Sequence, residues 1–354
     1  MMTTETIEKK QFLASAAPAA IEEFVKKSGE SAFRAKQILE WVHRRRIADP
    51  AKMTNLSTAL RKSLEQEFIC NAVKITETYP ADDGSCKYLL SLHDGEEVEC
   101  ATIPAEDGRT TFCLSTQVGC PVRCAFCSSG ANGLVRNLAA GEIVEEFFAL
   151  CGVIGGMPDN VVIMGVGEPM LNAQNLIAAL DIICAPDGVG LAQRRITIST
   201  SGWTPGIRAL IEHGKQWNLA ISLHAPDDKT RALLIPDKFR KPIREILSVC
   251  EKHREVTGRL LTLEYVLLAG INESVRQAQA LAELALGARA KVNLIPYNKA
   301  NGAFERPSRE TIKAFENMLK TRRVPVTVRV EKGSGSQAAC GQLRGARLNK
   351  KKGC

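Results

Sequence analysis

Three cysteines, Cys120, Cys124 and Cys127, fall within eight residues in the stretch "GCPVRCAFCSSG" (119–130). Their spacing is C-x-x-x-C-x-x-C, and no fourth cysteine or histidine follows closely. A structural zinc site takes four ligands, usually as two close pairs, and the rest of that set is missing. Scattered core cysteines are the other plain reading, yet core positions belong to periodic elements and this loop is rich in glycine and serine. Three thiolates on a cubane [4Fe–4S] cluster would leave one iron open to a further ligand. That third reading fits the spacing best.

Other chemically able residues recur in one kind of place. "GVGEPM" (165–170) follows the apolar run "VVIM", "STSG" (199–202) follows "RRITI", "SLHAPD" (222–227) follows "LAI", and "PYN" (296–298) follows "KVNLI". The cysteine loop itself follows "TFCLSTQ", which carries Cys113. From residue 111 onward, strand-like runs alternate with helical stretches such as "AGEIVEEFFALCG" and "NAQNLIAALDIIC". Such β-then-α repetition predicts a parallel sheet, doubly wound or rolled toward a barrel, whose strand C-terminal ends share one rim. All of these motifs would then meet at that rim.

The chain before this core reads differently. Residues 1–17 lack hydrophobic periodicity and are expected to form a disordered leader. Residues 18–71 form a helical module: Ala35, Ile38, Leu39 and Val42 mark one face, and Leu56, Leu60, Leu64 and Phe68 another, with Thr54 or Asn55 as the cap. Residues 72–105 carry three strand-like runs separated by Asp-Gly turns, a β-meander connecting the module to a core over 106–343. Residues 344–354 form a basic tail.

Composition narrows the function. With 354 residues the chain can bury a large core. The first residues show no basic segment followed by an apolar run, and no long apolar stretch could cross a membrane, so a cytoplasmic protein with no membrane partner is expected. Twelve cysteines in such a chain point to metal binding or catalysis rather than a disulfide scaffold. The net charge of +8 gathers in "HRRR" (43–46), "DKFRK" (237–241) and "RGARLNKKKG" (344–353), which together favour a polyanionic partner.

The cysteine loop and "GVGEP" resemble the radical S-adenosylmethionine (SAM) superfamily. The resemblance implies a [4Fe–4S] cluster on Cys120, Cys124 and Cys127, with SAM chelating the open iron and yielding a 5′-deoxyadenosyl radical. Gly167 and Glu168 would hold the methionine end of SAM. Its implied fold is α/β, a partial (β/α)6-type barrel with a small N-terminal helical domain and the β-meander connector. "C-x-S-x-Q-x-G-C", "AACGQL", "STSG", "SLHA" and "LIPYN" together resemble the RlmN/Cfr family of RNA adenosine methyltransferases, over about residues 20 to 345.

The closer resemblance implies roles residue by residue. Cys340 would carry a methyl group taken from one SAM molecule, and a second SAM would supply the radical, two per turnover. The resulting methylene radical would add to the adenine ring, Cys113 would release the protein–RNA adduct by forming a disulfide with Cys340, and Glu99 would remove the ring proton. Ser199, Ser222, Leu223, His224 and Asn298 match SAM-binding positions. The implied target is carbon 2 of adenosine in 23S rRNA, with tRNA beside the anticodon as a second target. The partners would be RNA and an electron donor such as flavodoxin, and the enzyme a monomer. One segment departs from the family: before Cys340 this chain reads "KGSGSQAACGQL", without the usual acidic–aliphatic pair. A carbon 8 methyltransferase of the Cfr type, conferring antibiotic resistance, is the alternative. A non-catalytic Fe–S RNA-binding protein is the third, and it predicts loss of Cys113 or Cys340, both of which are present.

Overall fold

The computed structural model describes residues 10–298 and 304–329. Helix α1 (Pro18–Lys27) opens on a proline, whose missing N–H costs nothing in a first turn, and buries Ile21, Phe24 and Val25. Helix α2 (Phe33–Leu39) continues into a wider turn to Arg44 and buries Ala35, Ile38, Trp41 and Val42. Helix α3 (Thr58–Glu67) is capped by Ser57, whose Oγ accepts from Leu60 N at 3.1 Å. The cap therefore lies beyond Thr54 and Asn55. Asn55 is otherwise engaged, since its Oδ1 accepts the Trp41 indole N–H.

The leader also differs from expectation where it is described. Residues 10–17 pack: Phe12 bridges to Ile69, Leu13 N donates to Ile69 O at 2.9 Å, and Leu13 and Ala14 are buried. Too few apolar residues lie there to show a period, but two of them fill the base of the helical module.

Strands β1 (Val73–Pro80), β2 (Cys86–Leu92), β3 (Glu97–Pro104) and β4 (Thr110–Leu114) run antiparallel in sequence. A separate hairpin, β5 (Gln117–Gly119) with β6 (Leu134–Asn137), carries the cysteine loop and leads to α4 (Ala140–Ile154). Then follow β7 (Asn160–Ile163), α5 (Ala173–Cys184), β8 (Ile196–Thr200), α6 (Thr204–His213), β9 (Asn218–Ser222), α7 (Asp228–Ala232), α8 (Ile243–Thr257), β10 (Leu261–Leu267), α9 (Val275–Gly287), β11 (Ala290–Pro296), α10 (Arg309–Thr321) and β12 (Val326–Val328).

All strands but the hairpin join one ten-stranded sheet in the order β1-β2-β3-β4-β7-β8-β9-β10-β11-β12. From β4 to β12 every pairing is parallel. β4, β7, β8, β9, β10 and β11 are each followed by a helix before the next parallel strand, which makes six β/α units. The meander is continuous with this sheet, through β3 against β4 with Ala101 opposite Cys113. It extends the sheet and does more than connect two parts.

Alternation along the strands separates two environments. Phe112, Val161, Ile163, Ile196, Ile198, Leu219, Leu263 and Leu294 are buried in the apolar core shared with the helices. The intervening row runs Cys113, Val162, Thr197, Asn218 across successive strands. Thr197, Asn218, Thr262, Glu264, Lys291 and Asn293 line a cavity of about 530 Å³. The inner face is therefore polar, as a ligand-holding barrel requires.

Helix α4 joins the parts through buried acids. Glu145 Oε2 accepts from Val73 N at 3.2 Å, Oε1 has no hydrogen-bond partner among the described residues, and burial pushes the carboxyl up to about 8. The fold therefore keeps Glu145 protonated at neutral pH while the unfolded chain ionises it. Its contribution to stability is intact below about pH 4.5 and is lost as pH rises toward 8. Glu145→Gln, a permanent analogue of the neutral acid, should match wild type near pH 4 and exceed it by roughly 4 kcal/mol near pH 8. Chemical denaturation across that range would check it.

Candidate active site

The cysteine loop hangs between β5 and β6 and is braced at both ends. Cys120 N donates to Gly133 O at 3.0 Å, Cys127 N to Cys124 O at 3.0 Å, and Ala125 N to Leu234 O at 2.9 Å. Arg123 takes a left-handed φ of 56°, and a Cβ on Gly130 would sit 2.7 Å from its Cα. Only glycine fits there.

Burial pushes the Cys120 thiol up to about 12 and the Cys124 thiol well above its ordinary range. The charges of Glu168 and Cys127 push Cys120 and Cys124 up further, so these groups share one neighbourhood. None of the three forms a disulfide. Such thiols stay neutral unless a metal group replaces their protons. Among the described residues no three Cys, His, Asp or Glu side chains close tightly enough to cage a single ion. Three sulfur donors on one glycine-braced loop fit a [4Fe–4S] group with an open iron.

The glycine–glutamate loop is bolted to the strand before the cysteines. Gln117 is fully buried: its Oε1 accepts from Glu168 N at 2.8 Å and its Nε2 donates to Asn137 Oδ1 at 2.8 Å. Ser115 Oγ donates to Glu99 O at 2.6 Å and accepts from Val166 N at 2.8 Å. The serine and glutamine of "C-x-S-x-Q" thus fix the two loops to each other. Gly167 has a φ of +115°, and its Cβ would lie 2.7 Å from Gln117 Cβ. Gly167→Ala should cost about 2–4 kcal/mol from strain and overlap together, and weaken SAM binding; a melting curve and a binding titration read both.

Glu168 is buried, and its carboxylate accepts from Met170 N at 2.9 Å, Thr200 Oγ1 at 2.6 Å and Ser201 N at 2.7 Å. Burial raises it above the usual carboxylate range in spite of these donors. A cationic ammonium is the partner that would restore its full charge.

The remaining rim residues converge through Glu264. Ser199 Oγ donates to Glu264 Oε2 at 2.8 Å and lies 3.3 Å from Ser222 Oγ. Leu223 N and His224 N both donate to Glu264 O, at 3.0 and 3.2 Å. His224 has a left-handed φ of 59°, and its Nδ1 accepts from Val266 N at 3.1 Å, which puts the ring proton on Nε2. Burial, then the nearby Arg231 cation, lower it to about 3, so it is neutral at working pH. Its ring meets Phe126 of the cysteine loop edge-on at 4.8 Å. Asn298 Oδ1 accepts from Arg306 at 3.1 Å.

Glu99 and Cys113 open onto a second, smaller cavity of about 140 Å³, lined also by Tyr79, Lys87, Met164 and Arg329. The registers Lys87 to Ala101 and Ala101 to Cys113 set Lys87 and Cys113 on one sheet face, with Glu99 two positions along β3. Lys87 Nζ and Glu99 Oε2 form a buried ion pair at 3.2 Å. Cys340 lies outside the described residues, so its pairing with Cys113 does too, as does the basic tail.

Sequence reasoning passed over several groups here. Glu264 carried a signal, a lone carboxylate at an inward position of "LTLEYVLL". Lys87 carried less, since alternation alone would leave it solvent-facing. Arg231 carried none; "DKTRALL" reads as an ordinary exposed turn of helix. The two described basic clusters part company. Arg45 and Arg46 line a groove of about 610 Å³ against α4, whereas Lys241 stacks over Trp203 at 4.9 Å near the cysteine loop.

Comparison with known proteins agrees with this geometry. Residues 13–70 match the Ribosomal RNA large subunit methyltransferase N-terminal domain, and residues 114–282 match the Radical SAM superfamily. A protein of Caldicellulosiruptor saccharolyticus, described as a "Probable dual-specificity RNA methyltransferase RlmN", is 42% identical over 330 residues, covering 93% of this chain and 95% of its own length. A protein of Deinococcus deserti with the same description is 44% identical, covering 88% of this chain and 92% of its own. The crystal structure of a radical SAM methyltransferase from Sphaerobacter thermophilus superposes with a TM-score of 0.88 at 39% identity, over 94% of this chain and 98% of that one. The chain therefore belongs to the RlmN family of radical SAM RNA methyltransferases.

Proposed function

We propose that this enzyme methylates carbon 2 of an adenosine in 23S rRNA, at the peptidyl-transferase centre, with tRNA beside the anticodon as a second substrate. The observation that carries this reading is the small cavity where Glu99, paired with Lys87, and Cys113 face the same space beside the cofactor rim. It admits a single ring system, so the target base must leave its stack to enter.

When bound, the cluster and SAM supply a 5′-deoxyadenosyl radical. Cys120, Cys124 and Cys127 would hold the cluster. Gly167 and Glu168 would receive the methionine end, Ser199, Ser222, Leu223 and His224 the rest of the rim contacts, and Asn298 the nucleoside side. Cys340 first takes a methyl group from one SAM. The cluster with a second SAM would supply the abstraction of a hydrogen atom from that methyl and would take back one electron from the adduct that forms when the methylene carbon bonds to carbon 2. Glu99 removes the proton from carbon 2. The Cys113 thiolate would then attack the Cys340 sulfur; the carbon would leave with the electron pair of the broken carbon–sulfur bond and take up a proton to become the methyl group, and a disulfide would remain on the protein. Arg329 lines the cavity, and the chain from there to Cys340 is long enough to return to it. The electron would come from a flavodoxin-like donor, and a monomer in the cytoplasm suffices for all of this.

Peptide mass spectrometry after incubation with SAM tests the first step. One added methyl on the peptide holding Cys340, absent in Cys340→Ala, is expected. RNA methylation by a protein that never carries that group would contradict the scheme.

A further inference from the structure

Arg231 is fully buried near the end of α7, and no ion pair joins it among the described residues. Its guanidinium spends its donors on carbonyls from three segments. Nε donates to Leu223 O at 3.2 Å, Nη1 to Lys241 O at 3.0 Å, and Nη2 to Ser201 O. Two of these contacts reach the cofactor rim at one remove, and the chain beside Arg231 reaches the cysteine loop. The Ser201 amide holds Glu168 Oε2, Leu223 precedes His224, and Leu234, just past α7, accepts Ala125 N from the cysteine loop.

A buried cation with only neutral carbonyl partners is costly unless a negative charge is due nearby. Burial lowers Arg231 to about 10, which still leaves it charged at neutral pH. The groups it feels most are Cys124, Asp228 and Glu168, with the Arg240 cation opposing. Three thiolates on a [4Fe–4S] cluster carry one net negative charge when oxidised, and one more after reduction. A cluster on the cysteine loop would add to the negative charge that Asp228 and Glu168 already set against Arg231.

We propose that Arg231 is a positioning residue with two separable effects: its fork ties the "STSG" and "SLHA" loops into the SAM site, and its charge eases one-electron reduction of the cluster. The proposal rests on the reading that Cys120, Cys124 and Cys127 bind that cluster. In the reduction the cluster gains one electron from a low-potential donor, flavodoxin-like in the cell and dithionite-poised in the test, with no proton taken up. A fixed positive charge in a low-dielectric surround favours the more negative, reduced state.

The test compares wild type, Arg231→Gln and Arg231→Lys after anaerobic reconstitution. Iron and sulfide content, cluster midpoint potential by spectroelectrochemistry, and SAM affinity by equilibrium dialysis are measured for each. Arg231→Gln should shift the potential to more negative values, and Arg231→Lys should restore it. Both should bind SAM about tenfold more weakly, because neither side chain can bridge three carbonyls. Equal potentials in fully loaded proteins would overturn the electrostatic effect, and unchanged SAM affinity the positioning one. Should Arg231→Gln fail to fold, Arg231→Lys with wild-type SAM affinity would still overturn the latter. A wild-type chain that takes up no cluster overturns both this inference and the reading beneath it, whereas loaded clusters with equal potentials overturn the inference alone.

Discussion

Replacing Cys113 with alanine is expected to leave the protein covalently joined to its RNA, with turnover reduced by roughly three orders of magnitude or more. The reasoning is chemical. In the proposed scheme a methylene bridge would link Cys340 to the base, a second sulfur would be needed to break its carbon–sulfur bond without destroying the product, and Cys113 lines the cavity on the sheet face that carries Glu99 and Lys87. Cys86 and Cys100 line it too, but burial holds Cys100 well above the ordinary thiol range. A denaturing gel of Cys113→Ala after incubation with SAM, reductant and substrate RNA should show a slow band sensitive to both protease and nuclease. Free methylated RNA at the wild-type rate would remove Cys113 from the mechanism.

Lys87→Met is the second large effect. Lys87 and Glu99 are buried together at 3.2 Å, so removing the lysine takes an ion-pair partner from a buried carboxylate. Breaking such a pair from one side costs about 3–5 kcal/mol, and if Glu99 is the base proposed above, misplacing it should cost about 10²–10⁴-fold in rate. The two effects separate in the double variant Lys87→Met with Glu99→Gln, which should recover most of the stability and none of the activity. Lys87→Arg should keep a substantial part of both. A Lys87→Met enzyme with normal turnover would mean that the pair only holds β2 against β3.

The parts of this site visible in the sequence are those whose chemistry forces a local signature. Three thiolates for one cluster must be close in the chain, and Gly167 must be glycine at φ +115° against Gln117. Strand ends that carry "STSG", "SLHA" and "PYN" follow from the alternation of β and α units, and the parallel sheet brings them to one rim. Supports contributed by residues distant in sequence were not visible. Ser115 and Gln117 read as motif letters until their bonds to Val166 and Glu168 gave them tasks. Lys87 carried little signal in a segment expected only to connect, whereas the meander's continuity with the sheet buries that position. Residues 10–17 were misread for a similar reason: two apolar side chains suffice to seal a small module but not to make a period.

The central claim is that this site places a methyl group on carbon 2 of adenosine. The direct measurement reconstitutes the enzyme anaerobically, supplies SAM, a reductant and unmodified 23S rRNA and tRNA, and identifies the methylated nucleosides by mass spectrometry. The account predicts 2-methyladenosine, lost when any of Cys113, Cys340 or the three loop cysteines is replaced. 8-Methyladenosine, or 5′-deoxyadenosine formed with no methylated base at all, would contradict it.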